Sequence, residues 1–162
     1  MKNERATDQK RNRTTTMAIW LGTATIIAAG AAFLALKPSQ AADVVVHKSP
    51  TCGCCAKWID HLENNGFSVE VHDERNMGPV KRRLGVPTHL QSCHTAEVGG
   101  YIVEGHVPAD LIARMLREKP DIKGLAVPGM PMGSPGMEGP RKDPYDVVAY
   151  DAIGKASVYE RR

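Results

Sequence analysis

The sequence lacks most of the features that identify the common enzyme classes. It contains no glycine-rich phosphate loop, no nucleophile elbow, no paired carboxylates suited to acid–base catalysis and no internal repeat. Cysteine is scarce, since the 162 residues include only four, beside six histidines. These absences leave thiol and metal chemistry as the functions that the residues favour.

A charge excess of one sign is also missing once the N-terminal segment is set aside. Six of the 21 Lys and Arg residues and two of the 18 Asp and Glu residues lie in residues 1–41, which leaves 15 basic and 16 acidic residues. A net charge of about −1 offers no basic surface to nucleic acids or acidic lipids. We therefore expect no nucleic-acid partner.

The first 41 residues have the layout of an export signal. A basic start precedes the uncharged stretch Met17–Leu36, and Ser39-Gln40-Ala41 offers small residues to a signal peptidase. The 20-residue stretch is longer than the usual signal core of about 7–15 residues and could span a bilayer. Residues 1–41 are predicted to be a cleaved signal peptide, with an uncleaved membrane anchor as the alternative. In both cases residues 42–162 are exported, and they adjoin the membrane only if the leader stays attached.

Hydrophobic periodicity predicts a single α/β domain over residues 42–162. The predicted elements run strand, helix, strand, helix, strand, strand, helix, which matches a thioredoxin-like core with a small mixed sheet flanked by helices. Segment 90–93 is predicted as a strand or strand end, and segment 98–104 as one strand region. A loop rich in Pro, Gly and Met follows over 121–144, and a β-hairpin around Gly154 closes the chain.

Three of the four cysteines form one short motif, Cys52-Gly53-Cys54-Cys55, at the start of the first predicted helix, and the fourth is Cys93. The positive end of a helix dipole favours thiolates. Cys54 and Cys55 project about 100° apart around a helix, so these thiolates suit several bridged ions better than one tetrahedral ion. Soft thiolates select Cu(I) over hard cations.

Two other interpretations of the cysteines stay open. Cys52 and Cys55 have the C-x-x-C spacing of a thiol–disulfide oxidoreductase, with Cys54 or Cys93 as resolving thiol, although a third thiol between the pair invites disulfide shuffling. Two structural disulfides in a non-catalytic module would also account for an even number of cysteines.

Several other residues are secondary candidates for the site. His94 adjoins Cys93 and His47 precedes the motif, so either imidazole could be an extra ligand or a donor to a ligand. His89 and His106 could also bind Cu(II), but the scattered spacing of the histidines forms no motif. Met130 and Met132 lie in the Pro/Gly loop, where thioethers could bind Cu(I), although loop packing explains them equally well. The run Lys81-Arg82-Arg83 is interpreted as a solvated helix face.

Five stretches, two of which carry the cysteines, form a recognisable set. They are Thr51-Cys52-Gly53-Cys54-Cys55, Gly85-Val86-Pro87-Thr88-His89-Leu90-Gln91-Ser92-Cys93-His94-Thr95-Ala96, Val98-Gly99-Gly100-Tyr101, Glu104-Gly105-His106-Val107-Pro108 and Leu125-Ala126-Val127-Pro128-Gly129-Met130-Pro131. In these stretches the chain resembles the CopG-like family of exported copper-associated proteins, formerly a domain of unknown function. The resemblance extends from Asp43 to Tyr159, and its cysteine motifs are the most specific part.

The resemblance implies a thioredoxin-like fold that binds copper through Cys52, Cys54, Cys55 and Cys93. It implies a redox-active cluster of several Cu(I) ions in a periplasmic protein of copper resistance. Copper ions are the implied partners, together with a copper efflux or redox protein. A copper oxidoreductase or electron-transfer activity is compatible with such a cluster. The fold resemblance also makes the bond before Pro87 a candidate for a cis peptide that would lead the chain back to the cysteines, with an ordinary turn proline as the alternative.

Overall fold

The computed structural model describes residues 43–162. The predicted leader, residues 1–41, lies outside the described residues. Within residues 43–162, none of the helices combines the length and the apolar character that a membrane crossing requires.

The described chain forms one seven-stranded mixed sheet with three α-helices. The strands are β1 (Val44–Lys48), β2 (Val69–Asp73), β3 (Thr95–Val98), β4 (Tyr101–Glu104), β5 (Gly124–Ala126), β6 (Asp146–Tyr150) and β7 (Ala156–Arg161). The helices are α1 (Gly53–Asn64), α2 (Met77–Leu84) and α3 (Ala109–Glu118), with a 3-10 turn at Thr88–Leu90.

The strand order is β2-β1-β3-β4-β5-β6-β7. Strand β1 pairs in parallel with β2 and antiparallel with β3, while β4 pairs antiparallel with β3 and in parallel with β5. Strands β5, β6 and β7 continue as antiparallel neighbours. The α/β class, the mixed sheet and the closing hairpin are thereby confirmed, and the order of the first four strands is compatible with a thioredoxin-like core.

The hydrophobic core explains why α1 and α3 form where they do. One face of α1 is buried, and it consists of the residues that share the helical spacing, Cys55, Trp58, Ile59 and Leu62. Ile112 and Met115 of α3 and Val44 and Val46 of β1 are fully buried in the same cluster as most of these side chains. Burying such side chains contributes about 1.5–3 kcal/mol each, so the core fixes the start of α1 against the sheet.

Residues 90–93 do not form the predicted strand. The chain makes a 3-10 turn at Thr88–Leu90, and β3 begins only at Thr95. Instead of a neighbouring strand, the carboxylate of Glu104 accepts the hydrogen bond of the Ser92 N–H group at 2.6 Å. A hydrogen bond from the backbone to a side chain thus takes the place of strand pairing in this segment. Hydrophobic periodicity in the sequence cannot reveal such a contact.

Three further expectations need correction. The strand region 98–104 is a hairpin, because Gly99 and Gly100 both adopt positive φ (55° and 88°) and turn the chain between β3 and β4. The loop 121–144 contains β5, which is too short for a periodic signal. All peptide bonds of the described residues are trans, so of the two alternatives for Pro87 the cis bond is wrong and the ordinary turn proline is present.

Candidate metal centre

The first cysteine segment lies at the start of α1. Cys52 is the N-cap residue, and its side chain makes no capping hydrogen bond to the first turn. Cys54 follows in that turn, while Cys55 is fully buried on the core face. The positive end of the helix dipole is therefore directed at the sulfurs, as the motif predicts.

The second cysteine segment is irregular, and long-range contacts hold it. Besides the Ser92 bond to Glu104, the Ser92 hydroxyl donates to the Gly129 carbonyl. The Gly105 N–H donates to the His94 carbonyl at 3.0 Å. Gly105 has a φ of +70°, and a Cβ there would lie 2.7 Å from the Ser92 side chain. A glycine is therefore needed for the end of β4 to approach the cysteine segment.

A buried ion pair supports the second segment. The Lys81 ammonium lies 2.5 Å from Glu104 Oε1 and donates to the Thr95 hydroxyl at 2.9 Å. The Thr95 hydroxyl in turn donates to Glu104 Oε2 at 2.6 Å. Glu104 is fully buried and Lys81 is only 5% exposed, so the interpretation of Lys81 as part of a solvated face is wrong. Its long side chain crosses from α2 into the sheet to neutralise the carboxylate that holds Ser92.

The two segments bring all four sulfurs together. Ligand atoms of Cys52, Cys54, Cys55 and Cys93 lie within 4.8 Å of one another. Cys52 and Cys55 form a disulfide, whereas Cys54 and Cys93 are free. Cys54 Sγ lies 3.5 Å from Cys52 Sγ and 4.0 Å from Cys93 Sγ. Cys54 is thus the sulfur that links the disulfide to the distant cysteine.

Two buried histidines adjoin Cys93. Its Sγ lies 3.3 Å from His94 Nδ1 and 3.1 Å from His106 Nε2, and these three residues form a second group with metal-ligand spacing. The His94 ring packs between Trp58, with ring centroids 4.3 Å apart, and the edge of His106 at 4.9 Å. The Trp58 indole donates to the Val107 carbonyl at 2.9 Å, which fixes that ring.

Burial controls the protonation of these groups. Burial, followed by the nearby Cys54, raises the pKa of Cys93 to about 11. Burial, followed by His106 and the Lys81 charge, holds the pKa of His94 well below its usual range. Burial also lowers the pKa of His106, although Pro135 and Glu138 act in the opposite direction. Both imidazoles are therefore neutral at pH 7, and each has a lone pair that could bind a metal.

The Pro/Gly loop reaches the site through its backbone. The Pro135 carbonyl lies 2.8 Å from His106 Nδ1. Gly136 has a φ of +83°, and a Cβ there would lie 2.7 Å from the Cys54 carbonyl oxygen and 2.8 Å from the backbone nitrogen of Trp58. This contact packs the loop against the first turns of α1.

The secondary candidates have different surroundings. His94 lies beside Cys93 as its sequence position suggests. His47 instead lies 3.2 Å from Glu74 and 3.4 Å from Glu97, and it belongs to neither ligand group. Met130 is 54% exposed, and Met132 is partly buried in the same loop.

Sequence reasoning missed Glu104 as part of the site, and it named His106 only among scattered histidines that could bind Cu(II). Both lie in the stretch Glu104-Gly105-His106-Val107-Pro108, which carries part of the family resemblance. The family resemblance of that stretch was the available signal, since the spacing of its residues matches no metal-binding or catalytic motif. Their roles depend on the β3–β4 hairpin, which places them opposite Thr95 and the Cys93 segment.

The fold and the sulfur group define an α/β protein with a four-cysteine centre at a helix start. Two solved structures, named copper resistance protein CopG form 1 and form 2, are similar to it at 53% sequence identity and a TM-score of 0.70. Each match covers 74% of this chain, and 95% and 96% of the form 1 and form 2 chains respectively. The chain therefore belongs to the CopG-like family.

A family model described as "Protein of unknown function, DUF411" matches residues 90–137. That segment includes Cys93, His94 and His106 as well as the loop that covers them. No curated protein matches the chain.

Proposed function

We propose that this is a periplasmic copper-binding protein of copper resistance, which holds several Cu(I) ions through Cys52, Cys54, Cys55 and Cys93. The observation that carries the proposal is the convergence of four sulfurs, from two segments about forty residues apart, within 4.8 Å. The names of the two similar structures support copper as the metal.

The donor set favours soft monovalent copper. Thiolates select Cu(I), and sulfurs that project in different directions can each bridge two ions. Several Cu(I) ions bridged by four thiolates form a nearly neutral cluster, and the α1 N-terminus tolerates residual negative charge. A hard cation would need oxygen donors, and neither ligand group contains a carboxylate.

Copper binding requires the Cys52–Cys55 disulfide to be opened. Two electrons and two protons convert that disulfide into two thiols, and all four thiols must lose their protons to bind metal. Copper loading is therefore coupled to a reductant. A redox protein is the partner that this coupling favours, and the copper-resistance names of the two similar structures support a copper efflux protein as a second partner.

Thiol–disulfide exchange is a second candidate function, and one distance favours it. Cys54 Sγ lies 3.5 Å from Cys52 Sγ, so the Cys54 thiolate could attack that sulfur and release the Cys55 thiolate. The third interpretation, a module with two structural disulfides, agrees less well with the free Cys54 and Cys93.

An anaerobic Cu(I) titration against a competing chelator tests the proposal. The protein is expressed with its own leader, purified, reduced, and compared with Cys93→Ser and with the matched control Thr51→Ser, an exposed neighbour of the motif. We expect several tightly bound Cu(I) ions per chain in the wild type and the control, and at least one fewer in Cys93→Ser. Uptake of at most one ion, unchanged by Cys93→Ser, would contradict a cluster and favour disulfide exchange.

Export is part of the same proposal. We propose that residues 1–41 are the signal peptide and that residues 42–162 are the exported metal-binding domain. N-terminal sequencing of the protein from a periplasmic extract should begin at Ala42. A membrane-bound protein that still begins near Met1 would support the uncleaved anchor instead.

A further inference from the structure

Two imidazole nitrogens lie within hydrogen-bonding distance of the Cys93 sulfur, although a thiol can donate only one hydrogen bond. His94 Nδ1 and His106 Nε2 lie 3.3 and 3.1 Å from it. A thiol has one hydrogen, so it can donate to only one of these atoms. At least one imidazole must therefore interact with the sulfur as a donor itself, or share a metal ion with it.

The loop determines which nitrogen of His106 carries the hydrogen. His106 Nδ1 lies 2.8 Å from the Pro135 carbonyl oxygen, which can only accept a hydrogen bond. Neutral His106 must therefore carry its hydrogen on Nδ1, and its Nε2 lone pair faces Cys93. An imidazole that donates to a backbone carbonyl through one nitrogen and presents the other is the arrangement typical of metal-binding histidines.

His94 has the complementary arrangement. Its Nε2 is buried without a hydrogen-bond partner, and its ring is packed between Trp58 and His106. A buried N–H group without a partner is costly. The hydrogen is therefore better placed on Nδ1, where it can donate to the Cys93 sulfur. His94 then acts as a positioning residue for Cys93.

We propose that Cys93 and His106 together bind one copper ion at the edge of the four-cysteine group, with His94 donating a hydrogen bond to the Cys93 sulfur. This inference rests on the proposed copper function. Metal bonds to sulfur and nitrogen are about 2.0–2.3 Å long, so donor atoms 3.1 Å apart can reach the same ion. Imidazole binds both Cu(I) and Cu(II), so this mixed position accepts copper in either oxidation state, unlike one made only of thiolates.

X-ray absorption at the copper edge tests this assignment directly, because a bound imidazole gives a characteristic outer-shell scattering pattern. The full chain is reduced and loaded anaerobically with Cu(I) as the probe. The variants are His106→Asn, whose amide can still donate to Pro135, His94→Asn, whose amide can still donate to the sulfur, and the exposed control His72→Asn.

We expect imidazole scattering in the wild type, in His94→Asn and in His72→Asn. In His106→Asn the scattering should disappear together with one equivalent of bound copper. Wild-type protein that binds several copper ions without imidazole scattering would overturn this inference and leave the proposed function intact. So would scattering that persists in His106→Asn. Wild-type protein that binds no more than one copper ion would contradict the proposed function itself.

Discussion

The two cysteine segments of this protein are built in different ways. Cys52, Cys54 and Cys55 lie on and before the first turn of a twelve-residue helix whose apolar face is packed in the core. Cys93 lies in an irregular segment between a 3-10 turn and a strand. The first segment is positioned by local sequence, and the second by side chains from α2 and β4. One half of the candidate centre is thus intrinsic to a helix, while the other depends on tertiary structure.

A lysine–carboxylate pair accompanies each segment, and the pairs differ in burial. Lys48 lies 2.8 Å from Asp73 just before the first segment, and the Asp73 side chain is 55% exposed. Lys81 and Glu104 support the second segment, where the Glu104 side chain has no exposure at all. A pair with one solvated partner, such as Asp73 beside the buried Lys48, contributes little to stability because water screens it, whereas removing one partner of a fully buried pair leaves an unpaired charge away from water. The second segment should therefore be far more sensitive to substitution.

The largest expected effect is that of Glu104→Gln. This change leaves the Lys81 charge buried without a counter-ion and should lower the free energy of unfolding by about 3–5 kcal/mol. Urea denaturation of the reduced protein measures it. Because Glu104 also holds Ser92, the variant should bind fewer Cu(I) ions. A loss below about 1 kcal/mol with unchanged copper binding would show that Cys93 is positioned by other contacts.

The pH dependence of alkylation distinguishes the segments next. In the form with the Cys52–Cys55 disulfide, Cys93 has a pKa raised to about 11 by burial. Between pH 8 and pH 10 its thiolate fraction, and hence its rate of reaction with iodoacetamide, should rise about a hundredfold. Peptide mass spectrometry follows the rate, with urea-unfolded protein as the control. A rise below tenfold, as expected for an ordinary thiol, would contradict the raised pKa of this partly buried thiol.

Gly136→Ala should produce a smaller loss of stability. The new Cβ would contact the Cys54 carbonyl oxygen and the backbone nitrogen of Trp58. This overpacking costs about 1–3 kcal/mol in addition to the strain of an alanine at positive φ. The matched control is Gly66→Ala, where φ is +88° but no atom lies within 4 Å of the new Cβ. Thermal unfolding measures the loss of stability in both variants, and the difference between the two losses gives the cost of the close contact. Equal losses of stability in the two variants would show that the loop is not closely packed against the start of α1.

Asp73→Asn should have the smallest effect. It removes the counter-ion of Lys48, whose side chain is only 10% exposed, but the substituted side chain is at a 55% exposed position and Lys48 keeps its hydrogen bond to the Ser49 carbonyl at 3.2 Å. We therefore expect a loss of at most about 1 kcal/mol and unchanged Cu(I) uptake. Denaturation in low salt and in high salt measures the contribution of the Lys48–Asp73 pair to the free energy of unfolding and the extent to which salt screens it. A loss as large as that of Glu104→Gln would remove the distinction between the two segments.

The same distinction explains what the sequence could predict. The apolar spacing of Cys55, Trp58 and Leu62 predicts α1, and it thereby places three cysteines at a helix start. The position of Cys93 depends on Glu104 accepting from a backbone N–H group, and that contact leaves no periodic signal. His106 could not be singled out from the other histidines for a similar reason, since its partners are Cys93 and a backbone carbonyl of a distant loop. Family resemblance united the four cysteines, but not the groups that position them.

The most direct test of the account is protection of the cysteines by copper. Reduced protein, with and without several equivalents of Cu(I), is treated anaerobically with excess iodoacetamide, and the modified cysteines are identified by mass spectrometry. A single site made from both segments predicts that Cys52, Cys54 and Cys93, which are partly exposed, are modified without copper and strongly protected with it, while the fully buried Cys55 reacts in neither sample. Protection of Cys52 and Cys54 while Cys93 reacts freely would contradict the claim that the two segments form one copper centre.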